Sequence, residues 1–347
     1  MKIHFIIPGE LDQLTGGYIY DRKIISGLAG DGHRVIVHNP GNDFPFPGRG
    51  SLDRCRKIFK SLEPGEPVII DSLALGPSEA IISSLVDPSP LIALVHLPLF
   101  MNPSFSERET HYFRLLETRA WSKMAVIIAV SLHTKQIIQE CGVDSSKVQV
   151  ISPRAESLTR KENYPLAPRN LLCVANYTGN KGHLMLVEAL FNLKNSDWIV
   201  RCYGDKKREG GYFAKLQQTV NSKGLQNRIL FKGSLPHEAL PEVYLSSDLF
   251  ILPSEYESFP MVLAEALMHG IPVIAAEAGG IPEVVPDGAG LLFKPRSINS
   301  LQAAINEAIE NTGLYKKLCH KAAGYYKSAY SWNDNVNRFE QILKSVI

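Results

Sequence analysis

Twelve short apolar runs set the tightest limit on what this chain can fold into. The first six read KIHFIIP, RVIVHNP, PVIIDSL, LIALVHL, AVIIAVS and VQVIS, and the second six read LLCVAN, WIVRCYG, ILFKGS, LFILPS, PVIAAEA and LLFKP. Each is rich in valine and isoleucine and nearly continuous in hydrophobicity, where a strand with one wet face would alternate. Runs of this kind are strands buried on both faces, which means parallel sheets covered by helices. The segments between them, such as IISGLAGDGH and LMLVEALFNL, carry helical periodicity. The alternation predicts an α/β chain of two doubly wound, Rossmann-like domains. A length of 347 residues also suits two domains better than one core.

The polar, proline-bearing stretch SPRAESLTRKENYPLAPRN at 152–170 has no period and reads as the linker. The expected division is a first domain at 1–155, a second at 156–330 and a terminal segment at 331–347. That last segment, SWNDNVNRFEQILKSV, begins at a cap residue, Ser331 or Asn333, and continues as an amphipathic helix.

Composition removes several classes of function. The net charge is only +2, with acids and bases mixed along the chain, which argues against a nucleic-acid partner and gives no polybasic membrane signal. The N-terminus reads as a first strand and not as a signal peptide. No stretch approaches the roughly 18 apolar residues of a membrane span. Five scattered cysteines, without a C-x-x-C pair, are expected to be buried thiols of a cytoplasmic protein. His183, His237 and His269 lack metal-ligand spacing, and no metal site is expected. No G-x-G-x-x-G opens the first βα turn of either half, which speaks against a dinucleotide dehydrogenase.

The stretch SEYESFPMVLAEALMHGIPVIAAEAGGIPEVV at 254–285 carries the chemistry. Ser258 can cap a helix, Pro260 suits its first turn and Gly270 can end it. Backbone N–H groups of Phe259 and Met261, either side of Pro260, would then lie at a helix start, which favours phosphate. Glu265 falls roughly 7–8 Å further along the axis, at about 1.5 Å per residue. Its apolar neighbours imply burial, and a buried carboxylate needs donors. A ribose diol supplies two. Glu257, before the helix, could accept from hydroxyls of a sugar. By spacing alone, a solvated loop acid at 257 and a lysine-paired Glu265 remain alternatives.

In sequence the stretch resembles the E-x7-E signature of family 4 retaining glycosyltransferases of the GT-B fold. Pro253, Ser254, Glu257, Phe259, Glu265, Ala266, Gly270, Pro272, Val273, Gly279, Gly280, Pro282 and Glu283 fall in register. LTGGYIYDRKIISGLAGDGHRV resembles the family's N-terminal loop, where Gly16 and Gly17 would let backbone approach an anion. VANYTGNKGHLMLVEAL resembles the segment whose lysine, here Lys181, contacts pyrophosphate. ILFKGSLPHEAL resembles the base-side segment, placing Gly233 and Leu235 near the nucleobase. YSWNDN resembles the tail whose helix returns to the N-terminal domain.

The resemblance implies two Rossmann-like domains facing a cleft: an acceptor-binding first and a nucleotide-sugar-binding second. It implies a retaining, metal-independent hexosyltransferase moving a sugar from a nucleotide-diphosphate sugar to an acceptor hydroxyl, in glycan, glycoconjugate or small-glycoside synthesis. His96, Glu257 and Lys181 would be catalytic. The donor site would comprise Gly16, Gly17, Asn176, Lys181, Gly233, Leu235, Glu257, Ser258, Phe259, Pro260, Met261 and Glu265. No cofactor is implied beyond a UDP- or GDP-sugar as co-substrate. The acceptor would be a carbohydrate, glycoconjugate or small molecule, and peripheral membrane contact stays open. Asp71 reads as an acceptor-side wall and Asp248 as structural. One departure stands out: the family's usual arginine, five residues before the lysine, is Asn176 here, with Arg154, Lys206 and Arg208 as candidate substitutes. A nucleotide-sugar 2-epimerase and a weakly active sugar-nucleotide sensor are rival readings. A pyridoxal phosphorylase is a third, and no lysine has its setting.

Overall fold

The computed structural model describes residues 1–85, 89–155, 159–193, 197–325 and 331–347. All twelve expected runs are strands: β1 (Lys2–Ile6), β2 (Arg34–His38), β3 (Val68–Asp71), β4 (Leu91–Val95), β5 (Val126–Ala129), β6 (Val148–Val150), β7 (Asn170–Val174), β8 (Ile199–Tyr203), β9 (Ile229–Phe231), β10 (Leu249–Leu252), β11 (Val273–Ala276) and β12 (Gly290–Phe293). They form two six-stranded sheets, with orders β2-β1-β3-β4-β5-β6 and β12-β11-β10-β7-β8-β9. Every pairing is parallel. The central strands β3, β4, β10 and β11 are buried along their whole length, as the continuous runs require, while β8 alternates between buried and at least partly exposed residues. By contrast, β2 is partly exposed along its length, because it is an edge strand with one unpaired side.

The chain divides into two compact units, Met1–Pro153 with Ser331–Ile347, and Arg154–Tyr330. The expected boundary at 155/156 lies two residues later, and Glu156, Ser157 and Leu158 of the expected linker fall outside the described residues. The remainder of that linker is not slack. Asp248, at the end of the turn before β10, accepts from Lys161 Nζ at 2.7 Å and from the backbone of Arg169 at 3.0 Å and Asn170 at 2.8 Å. A buried carboxylate with donors from three residues, the Asn170 side chain included at 3.1 Å, fixes the approach to β7, a structural role as expected.

In each sheet the strand order reverses at one point, flanked by the loops that leave the carboxyl ends of the two neighbouring strands. Ligands of open α/β sheets bind at such points. The reversal lies between β1 and β3 in the first unit and between β7 and β10 in the second.

The helix Trp332–Val346 belongs to the first unit. Ser331 is its cap, with a reciprocal bond to Asp334, so Ser331 and not Asn333 starts it. Its apolar face meets the helix Gly16–Gly30, where Tyr20 lies 5.5 Å from Trp332 and 6.2 Å from Phe339, centroid to centroid. Asn335 Nδ2 donates to the Ser152 carbonyl at 2.8 Å. All five cysteines are free thiols; Cys141 is only half-buried, against the expectation, because it caps a surface helix. Among the described residues, no helix is long and apolar enough to cross a membrane.

Candidate active site

In the second unit the loops after β7 and β10 meet at the point of reversal. Glu255 N–H donates to the Asn180 carbonyl at 2.9 Å and ties them together. Gly182 has φ +70° and stands where a Cβ would lie 2.1 Å from the Pro253 carbonyl oxygen. No other residue tolerates both demands, so the Lys-Gly step is a packing requirement as well as a sequence motif. Lys181 Nζ reaches Glu257 Oε1 at 2.6 Å, both side chains being largely buried. The loop after β11 holds Glu257 from the other side: Gly280 N–H donates to the Glu257 carbonyl at 2.8 Å, and a Cβ on Gly279 (φ +59°) would lie 2.1 Å from that same oxygen. The paired glycines at 279–280 thus serve Glu257.

Glu265 lies on the helix Met261–Met268 and is 7% exposed. Tyr244 OH donates to its Oε2 at 2.7 Å. Burial raises the Glu265 carboxyl above its ordinary range, with the Tyr244 bond pulling the other way. His269 Nδ1 donates to the Glu265 carbonyl at 2.8 Å and its ring stacks on Tyr244. Tyr244 and His269 therefore brace Glu265, and neither announces itself in the sequence.

Two expectations at the helix start are corrected. Ser258 does not cap: the N-cap is Pro260, with no side-chain cap bond. Met261 N–H is not open, because it donates to the Phe259 carbonyl at 3.1 Å. The loop is pinned by its neighbours, and the pinning overrides serine's capping preference. Gly270 ends the helix as expected, at φ +77°, with Gly270 N–H to Leu267 O and Ile271 N–H to Ala266 O at 2.9 Å each.

Asn176 uses its Oδ1 to accept from Asp205 N–H at 3.1 Å. Gly179 N–H donates to Glu209 at 2.8 Å. The segment 205–209, which carries Lys206 and Arg208, is thereby bound to the lysine loop. Lys206 Nζ lies 5.1 Å from the centre of the Phe213 ring. Gly233 and Leu235 follow β9, with Gly233 exposed and Leu235 half-buried.

In the first unit, Asp71 ends β3 and His96 follows β4, both at the carboxyl edge of the sheet. His96 Nε2 lies 2.8 Å from Asp21 Oδ1 and 3.5 Å from Asp71 Oδ2. Gly16 and Gly17 are the first two residues of the helix Gly16–Gly30, whose cap residue Thr15 makes no side-chain cap bond. A Cβ on Gly17 would stand 3.3 Å from the His96 ring, so this glycine is set by the histidine's packing. Asp21 was not among the sequence candidates. The signal was present as an acid at the centre of the apolar helical run YIYDRKII, the same signal that marked Glu265.

Two Rossmann-like units, each built on a parallel sheet and gathering polar side chains at its point of strand reversal, define the GT-B architecture. The comparisons agree. Sucrose-phosphate synthase from Thermosynechococcus elongatus matches with a TM-score of 0.83 and 19% identity, over 99% of this chain and 98% of that one. Anabaena HepE, solved with UDP-glucose, matches with a TM-score of 0.79 and 20% identity, over 99% and 100%. Residues 155–327 match the family Glycosyl transferases group 1. Among curated relatives, mannosylfructose-phosphate synthase of Agrobacterium fabrum is 25% identical over 198 residues, covering 55% of this chain and 43% of that protein. The chain thus spans less than half of that relative's length.

Proposed function

We propose that the chain is a retaining, metal-independent hexosyltransferase that moves a sugar from a nucleoside-diphosphate donor to an acceptor hydroxyl. The observation that carries this reading is the meeting of Lys181 and Glu257 at the reversal point of the second unit, 2.6 Å apart, with Glu265 on the helix that follows. The family match over residues 155–327 and the E-x7-E resemblance support it.

In this reading Glu265 accepts from the ribose hydroxyls with the carboxylate oxygen that Tyr244 leaves over. Lys181 exchanges its bond to Glu257 for one to the pyrophosphate, and Glu257 turns to the sugar. As the bond from C1 to the phosphate oxygen breaks, negative charge grows on the leaving diphosphate, and Lys181 stabilises it. Glu257 favours the cationic character at C1. The acceptor oxygen bonds to C1 on the face the phosphate leaves, and its proton passes to the departing phosphate oxygen. The amides of Gly16 and Gly17 and the base-side residues Gly233 and Leu235 keep their proposed roles. So do Asn176 and the segment Ser258, Phe259, Pro260 and Met261, through contacts other than capping. UDP- and GDP-sugars are the first donors to try, with a carbohydrate, glycoconjugate or small molecule as acceptor. Five free thiols support action in the cytoplasm.

The test separates the two glutamates. Glu265→Ala should weaken nucleoside diphosphate binding by about 1–3 kcal/mol, the cost of unpaired buried donors. Glu257→Ala should cut turnover while leaving that affinity nearly intact. Turnover in EDTA should stay within about twofold, well under the tenfold that 1.4 kcal/mol represents. Equal losses in both variants, or activity abolished by EDTA and restored by Mn²⁺, would overturn the reading. Absence of turnover with intact nucleotide binding would make the chain a sensor.

A further inference from the structure

Asp21 sits in the middle of the helix Gly16–Gly30 and is 1% exposed. Its Oδ1 is bonded to His96 Nε2 at 2.8 Å, while its Oδ2 is buried with no hydrogen-bond partner among the described residues. A carboxylate in that state is costly unless the group it does touch is a cation. The other groups facing the ring are Asp71, from the end of β3, and Tyr20, whose ring meets the imidazole edge-on at 5.3 Å. Tyr20 spends its hydroxyl on the Ile151 carbonyl at 2.8 Å, and Asp71 spends Oδ1 on Leu73 N–H at 2.6 Å. The inner side of His96 is therefore lined by two carboxylates and a ring. Its Nδ1 makes none of the hydrogen bonds found among the described residues, and the side chain keeps 15% exposure. The ring is wedged against the first turn of the helix at Gly17, at the carboxyl edge of the sheet where a ligand is held.

We propose that Asp21 is a positioning residue for transfer: it holds His96 as an imidazolium with Nε2–H turned inward, leaving Nδ1–H as a cationic donor to a substrate oxygen at the ligand edge of the first unit. This rests on the transferase reading above. Asp71 is the secondary partner, at the longer distance. The charges agree with the geometry. Burial pulls the imidazole pKa down, but the charge and hydrogen bond of Asp21, with the charge of Asp71, overcome it and raise it to about 8. Burial raises Asp71 to about 7, with His96 opposing and Asp21 reinforcing. At neutral pH the cluster thus holds a cationic ring, and Asp71, raised by burial, is the carboxyl that takes up a proton. A pair fixed in this way needs no rearrangement when substrate arrives, the condition for an effective electrostatic donor.

The decisive variant is Asp21→Asn, which keeps shape and an acceptor oxygen but removes the charge. In protein labelled at histidine, with His96 assigned by its loss in His96→Asn, the His96 NMR titration should move down by one pH unit or more in Asp21→Asn. It should move less in Asp71→Asn and return towards the parent in Asp21→Glu. In kinetics, Asp21→Asn should lower kcat tenfold or more at pH 8, with the alkaline limb displaced to lower pH and nucleoside diphosphate affinity within twofold. An unmoved His96 titration overturns the proposal, as does a kcat loss that is the same at every pH. A His96 resonance in the parent that shifts on adding EDTA also overturns it, by making the cluster a metal site. The NMR arm needs no donor substrate. Were Glu257→Ala and Lys181→Ala to leave turnover untouched, the transferase reading would fail while the titration still decided whether Asp21 governs His96.

Discussion

Asn176 stands where the sequence resemblance leads one to expect an arginine, and its side chain is occupied. Its Oδ1 takes the Asp205 N–H, while Tyr177 N–H donates to the Asp205 carbonyl at 3.1 Å, so the two loops close on each other at this residue. An arginine here would gain a charge-assisted contact to pyrophosphate, about 1.5–3 kcal/mol, only by giving up that closure. The neighbouring loop already carries Lys206 and Arg208 to the lysine segment. Asn176→Arg should therefore leave nucleoside diphosphate affinity unchanged or weaken it, whereas Lys181→Ala should weaken it more than any other single basic substitution in the second unit. Calorimetry on these variants decides; a tenfold tightening by Asn176→Arg would mean that the slot is open and the charge missing. At this scale the sequence spoke through its anomalies. Glu265 was legible as an acid in an apolar helix, and Asp21 carried the same mark. Tyr244 carried none, because a tyrosine in an amphipathic segment is ordinary until its hydroxyl is seen to face a carboxylate.

Elements were far more legible than contacts, for a physical reason. A parallel strand covered on both faces has no wet side, so each strand appears as an unbroken apolar run, and each such run is a strand. The strand order was out of reach, since the runs look alike whichever neighbour they pair with. The helix start at 258–261 misled for a related reason: Ser258 has the right propensity, but Gly279 and Gly280 hold the loop through the Glu257 carbonyl and leave Pro260 at the cap. The terminal helix was legible from its cap and period, and its partner is settled by one small residue. A Cβ on Gly27 would lie 2.2 Å from Val336 Cγ2, which is overlap, not contact. Gly27→Ala should destabilise the first unit by about 1–3 kcal/mol, the usual cost of overpacking, despite alanine's better helix propensity. Shortening the opposing side chain should relieve it. Urea unfolding of Gly27→Ala, Val336→Ala and the double variant should show the double variant losing less than the sum of the singles. Strict additivity would mean that the two helices do not pack at this point.

Across the whole molecule the two units differ in how they carry buried charge, and this gives the first unit a distinctive response to pH. Three of its carboxyl and imidazole groups are pushed upward: Asp71 to about 7, His96 to about 8, and Glu117 to about 8. Burial raises Glu117 against two backbone amides, those of Leu99 and Phe100, which it anchors at 2.9 and 3.2 Å just beyond His96. A group whose folded pKa is raised stabilises below its unfolded pKa and loses that contribution as pH rises through the folded one. His38 is opposite in sign, lowered chiefly by burial, so its contribution is lost below the ordinary pKa of 6.5 and complete above it. Glu66, held down to about 2 mainly by Lys2, matters only in acid. Between pH 6.5 and 8.5 the raised groups are therefore the ones still changing, and all act in one direction. At 1.36 kcal/mol per unit for each proton, the first unit should lose about 1–2 kcal/mol per pH unit across this window. The three tryptophans allow a selective reading, because Trp121 and Trp332 belong to the first unit and only Trp198 to the second. In a Trp198→Phe background, fluorescence reports the first unit alone, and its urea midpoint should fall steadily from pH 6.5 to 8.5. Glu117→Gln should lower the midpoint at every pH, since one backbone amide loses its acceptor, yet flatten the slope, since the proton it would have released is gone. Asp21→Asn should flatten it too, by releasing His96 from its carboxylate. A midpoint that stays level in the parent, or a slope that survives both substitutions unchanged, would mean that these groups are not buried in the ionisation states their surroundings impose.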